Sequence, residues 1–360
     1  MTAYKEMLAK AKYRLRGHLP ETIGTGIEQM KNGDLGALPD IYGTGAIIED
    51  FQELISKELG KEQSVFFPSG TMAQQIALRI WSEEKCLKRV AYHPLCHLEI
   101  HEKDGLKVLH QIKSVLLGEP DRLFTLEDLR KMKEPVSCVL FELPQRELGG
   151  LLPEWEELVA MTSYCREHDI FTHLDGARLM EVLPFYGKTA AEVCRLFDSV
   201  YISFYKTFGG ITGAMLSGKK DFIDQSKVWK RRHGGDLHHL YPYIISSRYC
   251  YELRKDKMAE YWEGAKAYGE MLGSLPGVRI VPKVPVCNMF HVHFEYPVSR
   301  VERALMQVMK KNDLALFGAI TAIDLSRSKS EIWIGDSFSL VDETLVRQGI
   351  ELLEEELKRE

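Results

Sequence analysis

Long apolar runs are absent from this sequence of 360 residues. No stretch approaches the ~20 consecutive apolar residues that a membrane-spanning helix needs, and the polar first residues lack the apolar segment of a secretory signal. The formal net charge is −5 and no long run of lysine or arginine occurs. Because a phosphate backbone attracts a basic stripe, this charge balance argues against nucleic acid as a partner. We therefore expect neither a membrane nor a nucleic acid partner.

Cysteine pairs and nucleotide-binding motifs are also missing. The cysteines are odd in number, scattered, and form no Cys-x-x-Cys pair; they are Cys86, Cys96, Cys138, Cys165, Cys194, Cys250 and Cys287. Such usage is typical of reduced thiols, so we expect a cytoplasmic protein. No Gly-x-Gly-x-x-Gly motif follows the first predicted strand, and no complete P-loop motif occurs. Dinucleotide and P-loop nucleotide binding are therefore disfavoured.

Short apolar segments alternate with segments in which apolar residues recur at helical spacing. The predicted strands are 64–67, 89–92, 137–143, 170–174, 199–204, 213–217, 278–281, 288–294 and 332–334. The predicted helices are 46–59, 71–81, 125–133, 153–167, 189–197, 300–311 and 344–358, with a mainly helical stretch at 240–272. This alternation predicts an α/β fold with a mostly parallel central sheet.

After about residue 235 the apolar residues recur mainly at helical spacing, and a smaller α/β pattern follows from Gly277. We predict a large domain over 41–255 that carries the functional site and a small C-terminal α/β domain over 256–360. The N-terminal segment 1–40 is predicted to pack with the small domain or with a partner subunit.

Polar residues follow the carboxyl ends of predicted parallel strands, which is where open α/β sheets bind ligands. Asp175 ends one apolar strand, and Gly176 turns the chain before Arg178. Pyridoxal 5′-phosphate (PLP) needs a carboxylate against its ring nitrogen, because the protonated ring then accepts electrons from a substrate carbanion. Arg178 could hold a carboxylate in bidentate fashion. The alternative is an aspartate at a helix N-terminus beside a surface arginine.

Lys206 follows the predicted strand 199–204 and precedes Gly209 and Gly210. A lysine that forms a Schiff base must be partly desolvated, so that its amine can be neutral and nucleophilic. A strand end above a sheet offers that setting. The alternative is a lysine in a surface turn, and for an isolated lysine this alternative is favoured.

Ser69, Gly70 and Thr71 follow the strand 64–67 and open a predicted helix. The N–H groups at a helix N-terminus, together with two hydroxyls, form a cradle for a phosphate. Serine and threonine also cap many helices that bind no ligand, so this signal alone is weak.

His93, His97 and His101 are spaced four residues apart. On a helix they would face one side, which is also a spacing used for metal ligands. The alternative is one functional histidine and two incidental ones. No convergent set of cysteines or acidic residues occurs elsewhere, so we expect no metal site.

In this order, the segments resemble the threonine aldolase branch of the β-eliminating lyases, within the fold-type I PLP-dependent enzymes. The similarity runs from about Tyr42 to Gly235, and its most specific parts are the run His173–Leu179 and Lys206. It implies the fold-type I PLP-dependent transferase-like architecture, with 41–255 as the PLP-binding domain. It also implies a homotetramer built from two dimers.

The resemblance assigns roles to the residues at the strand ends. Lys206 would carry the cofactor, and Asp175 would pair with its ring nitrogen. His97 would stack on the ring and move a proton at the substrate hydroxyl, and Arg178 would hold the cofactor O3′ or the substrate carboxylate. The cofactor phosphate would be bound by Ser69, Gly70 and Thr71. The implied reaction cleaves L-threonine or L-allo-threonine to glycine and an aldehyde.

The sequence departs from the family pattern at groups that hold the substrate carboxylate. A serine expected near the N-terminus is replaced within Leu15–His18, and the strand around 331–337 lacks a second arginine. His18, Arg178, Arg327 and Tyr42 are therefore the candidate substrate ligands. The alternatives left open are another PLP-dependent lyase acting by β-elimination, a catalytically silent PLP-binding protein, and a metal hydrolase that uses the histidine series.

Overall fold

The computed structural model describes residues 3–18 and 22–359. The chain divides into two units. The larger consists of Thr22–Glu147 and Leu152–Asp256, and the smaller consists of the described residues of Met1–Glu21, Leu148–Leu151 and Lys257–Glu360. The predicted N-terminal segment 1–40 is thus divided between the two units.

Helices account for much of both units. They are α1 Ala3–Lys10, α2 Ile23–Met30, α3 Ala46–Leu59, α4 Gly70–Glu84, α5 His97–Ile100, α6 Gly105–His110, α7 Leu126–Lys131, α8 Trp155–Glu167, α9 Leu179–Tyr186, α10 Ala190–Cys194, α11 Lys220–Arg232, α12 Tyr241–Arg254, α13 Met258–Gly273, α14 Val298–Asn312 and α15 Glu343–Lys358. None of these helices, within the described ranges, is long and apolar enough to cross a membrane.

The strands form one large and two small sheets. They are β1 Tyr13–Arg14, β2 Gln63–Phe67, β3 Arg89–Tyr92, β4 Lys113–Leu116, β5 Cys138–Glu142, β6 Phe171–Gly176, β7 Ser199–Ser203, β8 Ala214–Gly218, β9 Val278–Val281, β10 Met289–Phe294, β11 Leu314–Ala315, β12 Thr321–Ala322 and β13 Ser328–Trp333.

The large sheet lies in the larger unit and has the strand order β2-β8-β7-β6-β5-β3-β4. Only β8 runs antiparallel to its neighbours β2 and β7 among the described strands of this sheet; the other neighbouring pairs are parallel. Strands β7 and β8 are buried along their whole length, as expected of a sheet covered on both faces. The predicted α/β fold with a mostly parallel central sheet is confirmed.

The register of the large sheet brings functional strand ends together. Glu142, the last residue of β5, is opposite Asp175 in β6, and Asp175 is opposite Tyr201 in β7. Because these strands are parallel, the residues that follow them emerge at the same edge of the sheet.

The smaller unit contains an antiparallel sheet of order β12-β13-β10-β9 and a parallel pair of β1 and β11. Helix α14 buries Val301, Leu305 and Val308 at helical spacing, which gives it one apolar face. The sequence places β13 only at 332–334, whereas the strand begins at Ser328. Its first half was missed because the inward residues Ser328 and Ser330 are small and polar, and they satisfy their buried hydroxyls on backbone carbonyls.

Candidate active site

A cavity lies at the carboxyl edge of the large sheet, within the larger unit. It brings together the charged groups His97, Glu102, Glu142, Asp175, Arg178 and Lys206. Gly70 and Thr71 also line it, and Ser69 is the residue that caps α4 just before them. The strand-end residues singled out in the sequence therefore meet in one place, although they are separated by more than a hundred positions in the chain.

Asp175 is buried, with 3% of its surface exposed. Its Oδ2 accepts a hydrogen bond from Gln74 Nε2 (2.5 Å), and its Oδ1 accepts one from the backbone N–H of Ala177 (3.1 Å). Burial raises the pKa of Asp175, whereas the hydrogen bond from Gln74 opposes that rise because it favours the ionised form. The carboxylate is thus rigidly held and has a strong preference for a cationic partner.

Lys206 follows β7 and is half-buried in the wall of the same cavity. Its Nζ lies 5.2 Å from the centroid of the Tyr205 ring. The neighbouring ring shields the amine from part of the solvent, which is the setting that a nucleophilic lysine requires.

His97 is the first residue of α5, and its Nδ1 lies 3.2 Å from Glu102 Oε1. This hydrogen bond is the largest cause of a raised pKa of His97. Glu102 is in turn held by Gln75, whose Nε2 donates to Oε2 (2.8 Å). The carboxylate therefore fixes a proton on Nδ1 and leaves Nε2 as the nitrogen that can exchange a proton with a ligand.

Glu142 is a second carboxylate beside Asp175. It accepts hydrogen bonds from the backbone N–H groups of His97 and Arg146, both at 3.2 Å, and from Gln145 Nε2 at 3.3 Å. Burial, followed by the charge of Asp175, nevertheless raises the pKa of Glu142 to about 7. Glu142 is therefore a third acidic group of the cavity, beside Asp175 and Glu102, and it can hold a proton near neutral pH.

Two arginines line the cavity. Arg178 precedes α9, and its Nε lies 3.9 Å from Glu181 Oε1. Arg146 begins a short 3₁₀ helix, Arg146–Leu148, after β5, and its guanidinium lies 3.5 Å from Glu147 Oε1. The sequence-based prediction missed Arg146, since no strand-end or glycine-turn pattern marks it; its place four residues after the end of β5 was the available signal.

The three histidines do not share one helix, so they do not form the common face that their spacing would give on a helix. Helix α5 covers only His97–Ile100, and His93 lies before it in a turn, with Nε2 2.8 Å from the carbonyl oxygen of Arg122. His101 turns to Glu147, with 3.1 Å between Nε2 and Oε1. No group of three or more histidine, cysteine or acidic side chains is arranged for a metal ion anywhere in residues 3–18 and 22–359.

The other candidate substrate ligands lie in different surroundings. Tyr42 is 46% exposed, lies outside the cavity lining, and stacks under Arg231, whose guanidinium carbon is 4.4 Å from the ring centroid. His18 belongs to the smaller unit, where its Nδ1 accepts a hydrogen bond from the backbone N–H of Asp336 (3.2 Å). Arg327, also in the smaller unit, pairs with Asp324 at 2.7 Å. Their roles stay predictions.

The fold is that of the fold-type I PLP-dependent enzymes. A model of the β-eliminating lyase family matches residues 25–294, and the chain belongs to that family. Among curated relatives, the low-specificity L-threonine aldolase of Eremothecium gossypii is 30% identical over 217 residues, which cover 56% of each chain. The low specificity L-threonine aldolase of Saccharomyces cerevisiae is 29% identical over 209 residues, 55% of this chain and 52% of that one. The chain thus spans about half the length of these relatives.

Solved structures match over more of the chain. A candidate L-allo-threonine aldolase from Listeria monocytogenes EGD-E has a TM-score of 0.96 and 50% identity, with 98% of both chains covered. A candidate aromatic amino acid β-eliminating lyase/threonine aldolase from Exiguobacterium sp. 255-15 has a TM-score of 0.95 and 47% identity, with 98% of this chain and 99% of that chain covered.

The residues of the cavity fit PLP. Ser69 caps α4 without a side-chain hydrogen bond in the described structure, which leaves its hydroxyl and the first N–H groups of the helix for a phosphate. A Cβ on Gly70 would lie 2.0 Å from the hydroxyl oxygen of Tyr201, so only glycine permits this close approach. A buried carboxylate and a half-buried lysine supply the partners that a pyridine nitrogen and an aldehyde need.

The raised pKa of Glu142 predicts a pH-dependent effect of the Glu142→Gln substitution. The folded protein binds this proton more tightly than the unfolded chain, so ionised Glu142 destabilises the fold above its folded pKa of about 7. That cost fades as the pH falls toward the unfolded value of 4.5. In urea denaturation, Glu142→Gln should therefore stabilise the protein more at about pH 8 than at about pH 5.

Glu156→Gln, on the exposed face of α8, is the matched control and should show no such trend. A Glu142→Gln effect that is equal at both pH values would contradict the burial argument.

Proposed function

We propose that this protein is a PLP-dependent aldolase that cleaves a β-hydroxy-α-amino acid, L-threonine or L-allo-threonine, to glycine and an aldehyde. The observation that carries this proposal is the placement of Lys206 and Asp175 in one cavity with the His97–Glu102 pair. Membership of the β-eliminating lyase family and the names of the relatives support it.

Four groups of residues would hold the cofactor. Lys206 would bind the aldehyde carbon of PLP, and Asp175 would accept a hydrogen bond from its protonated ring nitrogen. His97 would stack on the ring. The phosphate would be bound by the N-terminus of α4 with Ser69, Gly70 and Thr71. When bound, PLP supplies an electron sink for the electron pair left on Cα as the Cα–Cβ bond breaks. The protein supplies orientation and charge, since Asp175 is already buried and held by two donors.

His97 would also remove the proton of the substrate β-hydroxyl. Glu102 occupies Nδ1, so the proton would be taken by Nε2. The same carboxylate stabilises the imidazolium that results, which agrees with its effect on the pKa of His97. Loss of the hydroxyl proton drives formation of the aldehyde carbonyl, and reprotonation of Cα completes glycine.

Arg178 would bind the substrate carboxylate, and Arg146 is a second cation in the same cavity wall. Paired guanidinium groups would replace the second carboxylate-binding arginine that the strand around 331–337 lacks. His18 and Tyr42 are kept as further proposed substrate ligands. β-Elimination is the second candidate function, favoured by the name of the Exiguobacterium structure.

We also propose that the protein is a homotetramer of two dimers in the cytoplasm. The segment 22–42 exposes large apolar side chains, namely Ile23 (86%), Leu35 (72%), Leu38 (86%) and Ile41 (53%). Several exposed large apolar side chains in one segment are typical of a protein interface, and a second copy of the chain is the proposed occupant. None of the seven cysteines, all within the described residues, forms a disulfide, which agrees with a reducing compartment.

The cofactor proposal is tested by covalent trapping. Purified protein supplied with PLP should be yellow, and borohydride should fix the cofactor irreversibly on the peptide that contains Lys206. Lys206→Ala should retain no cofactor after reduction and denaturation. Lys188→Ala is the matched control, because Lys188 also lies near an aromatic ring, 5.3 Å from the centroid of Trp155. Cofactor trapped on another peptide would refute the assignment.

The reaction is tested by product analysis across β-hydroxy amino acids, including both threonine diastereomers. Glycine and an aldehyde are expected; ammonia and a keto acid would instead indicate β-elimination. His97→Asn should lower kcat by about 100-fold or more, because it removes the base. His101→Asn is the control, because the ring of His101 lies 5.1 Å from that of His97. This variant should leave kcat unchanged. Equal activity of the two variants would exclude His97 as the base.

The interface proposal is tested by sedimentation. Leu38→Glu should dissociate the oligomer, since it places a charge in the apolar surface. Leu325→Glu is the control, because Leu325 is 99% exposed but belongs to the smaller unit outside segment 22–42. A monomeric wild-type protein, or a Leu38→Glu variant of unchanged mass, would contradict the proposal.

A further inference from the structure

A continuous series of hydrogen bonds leads from Trp81 to Asp175 through three buried polar side chains. Trp81 Nε1 donates to Ser199 Oγ (2.8 Å), and Ser199 Oγ lies 2.8 Å from His173 Nδ1. His173 Nε2 lies 3.2 Å from Gln74 Oε1, and Gln74 Nε2 donates to Asp175 Oδ2 (2.5 Å). We call these five residues the Trp81–Asp175 relay. Each is at most 5% exposed, so water does not compete for these bonds.

The chemistry of the two ends fixes the direction of the relay. An indole N–H can only donate, so the oxygen of Ser199 accepts from Trp81 and its own proton is available to His173 Nδ1. At the other end an ionised carboxylate can only accept, so the amide NH₂ of Gln74 faces Asp175.

The middle of the relay agrees with both ends. Gln74 then presents its oxygen to His173, which must carry its single proton on Nε2. Burial lowers the pKa of His173 to about 3, so the ring is neutral and Nδ1 can accept the proton of Ser199. In each of the four hydrogen bonds, the donor is therefore the residue farther from Asp175 and the acceptor is the residue nearer to it.

The opposite direction is disfavoured by Trp81. If Asp175 were protonated and donated to Gln74, His173 would donate to Ser199 from Nδ1. Ser199 would then accept from both Trp81 and His173, and neither of these two partners could accept the proton of its O–H. A buried donor without an acceptor keeps its full desolvation cost.

We propose that Gln74, His173 and Ser199 are positioning residues that hold Asp175 in its ionised form, and so keep the ring nitrogen of the bound cofactor protonated. This inference rests on the proposed binding of PLP. The need for such a device follows from burial, which by itself favours the neutral carboxylic acid of Asp175.

The test is ¹⁵N NMR of the protein loaded with PLP that is labelled at the ring nitrogen. The wild-type signal should be that of a pyridinium. Gln74→Met keeps the size of the side chain but removes the donor to Asp175, so the signal should move toward neutral pyridine. Cofactor affinity should fall by about tenfold or more, because a charge-assisted hydrogen bond is weakened.

Ser199→Ala acts at a distance from the cofactor. It removes the bond that fixes the protonation of His173 but leaves Gln74 in place, so the ¹⁵N signal should move in the same direction by a smaller amount. Ser217→Ala is the matched control. Ser217 is also a fully buried strand serine, but its hydroxyl bonds to Ser64 Oγ (2.6 Å) outside the relay, and the wild-type signal should persist.

The outcomes separate this inference from the proposed function. Wild-type protein that binds no PLP would overturn both. PLP binding with an unchanged pyridinium signal in Gln74→Met and Ser199→Ala would overturn the relay alone. Thermal denaturation checks that each variant is folded; should Gln74→Met fail to fold, Ser199→Ala, which loses one oxygen atom, decides the question.

Discussion

The buried carboxylate of Asp175 is the group on which the rest of the site depends. A charge with 3% exposure is costly unless it is hydrogen-bonded and paired with a cation. The protein provides the hydrogen bonds through Gln74 and the Ala177 N–H, and a protonated ring nitrogen would provide the cation. A bound PLP would therefore balance the charge of Asp175 as well as supply the chemistry.

The three acidic groups of the cavity differ in their hydrogen-bond partners and neighbouring charges. Asp175 is supported by a directional series of donors, Glu102 is engaged by His97 and Gln75, and Glu142 lies beside Asp175 with its pKa raised to about 7. Neighbouring carboxyl groups in different surroundings can serve as an anion and an acid within one site. Burial is the main cause of the raised pKa of Glu142, and the parallel register of β5 and β6 adds to it, because it sets Glu142 directly opposite Asp175.

Local periodicity made much of the fold predictable from the sequence. Helix α3 and strands β3 and β9 have the predicted bounds, and most apolar residues of α3 and β3 are buried as their spacing indicates. Strand β4 was missed because it is an edge strand with mostly exposed residues, so it carries no apolar pattern. The arrangement of His93, His97 and His101 could not be predicted, because their spacing alone does not reveal that the chain turns before α5.

Site residues that directly follow an apolar strand could be predicted from the sequence. Site residues that reach the cavity only through tertiary contacts could not. Lys206 and Asp175 follow apolar strands. Arg146 is marked only by its place after β5, and Gln74 carries no local signal. Gln74 lies in the first turns of α4 and meets Asp175 only because the sheet brings together residues 101 positions apart.

The most direct test of the central claim is a PLP titration of wild-type protein and the Asp175→Asn variant. Asparagine keeps the shape of the side chain but cannot carry the charge. Loss of a charge-assisted hydrogen bond worth about 1.5–3 kcal/mol should weaken cofactor binding by about tenfold or more. Equal affinity of the two proteins would show that the buried carboxylate does not hold the cofactor.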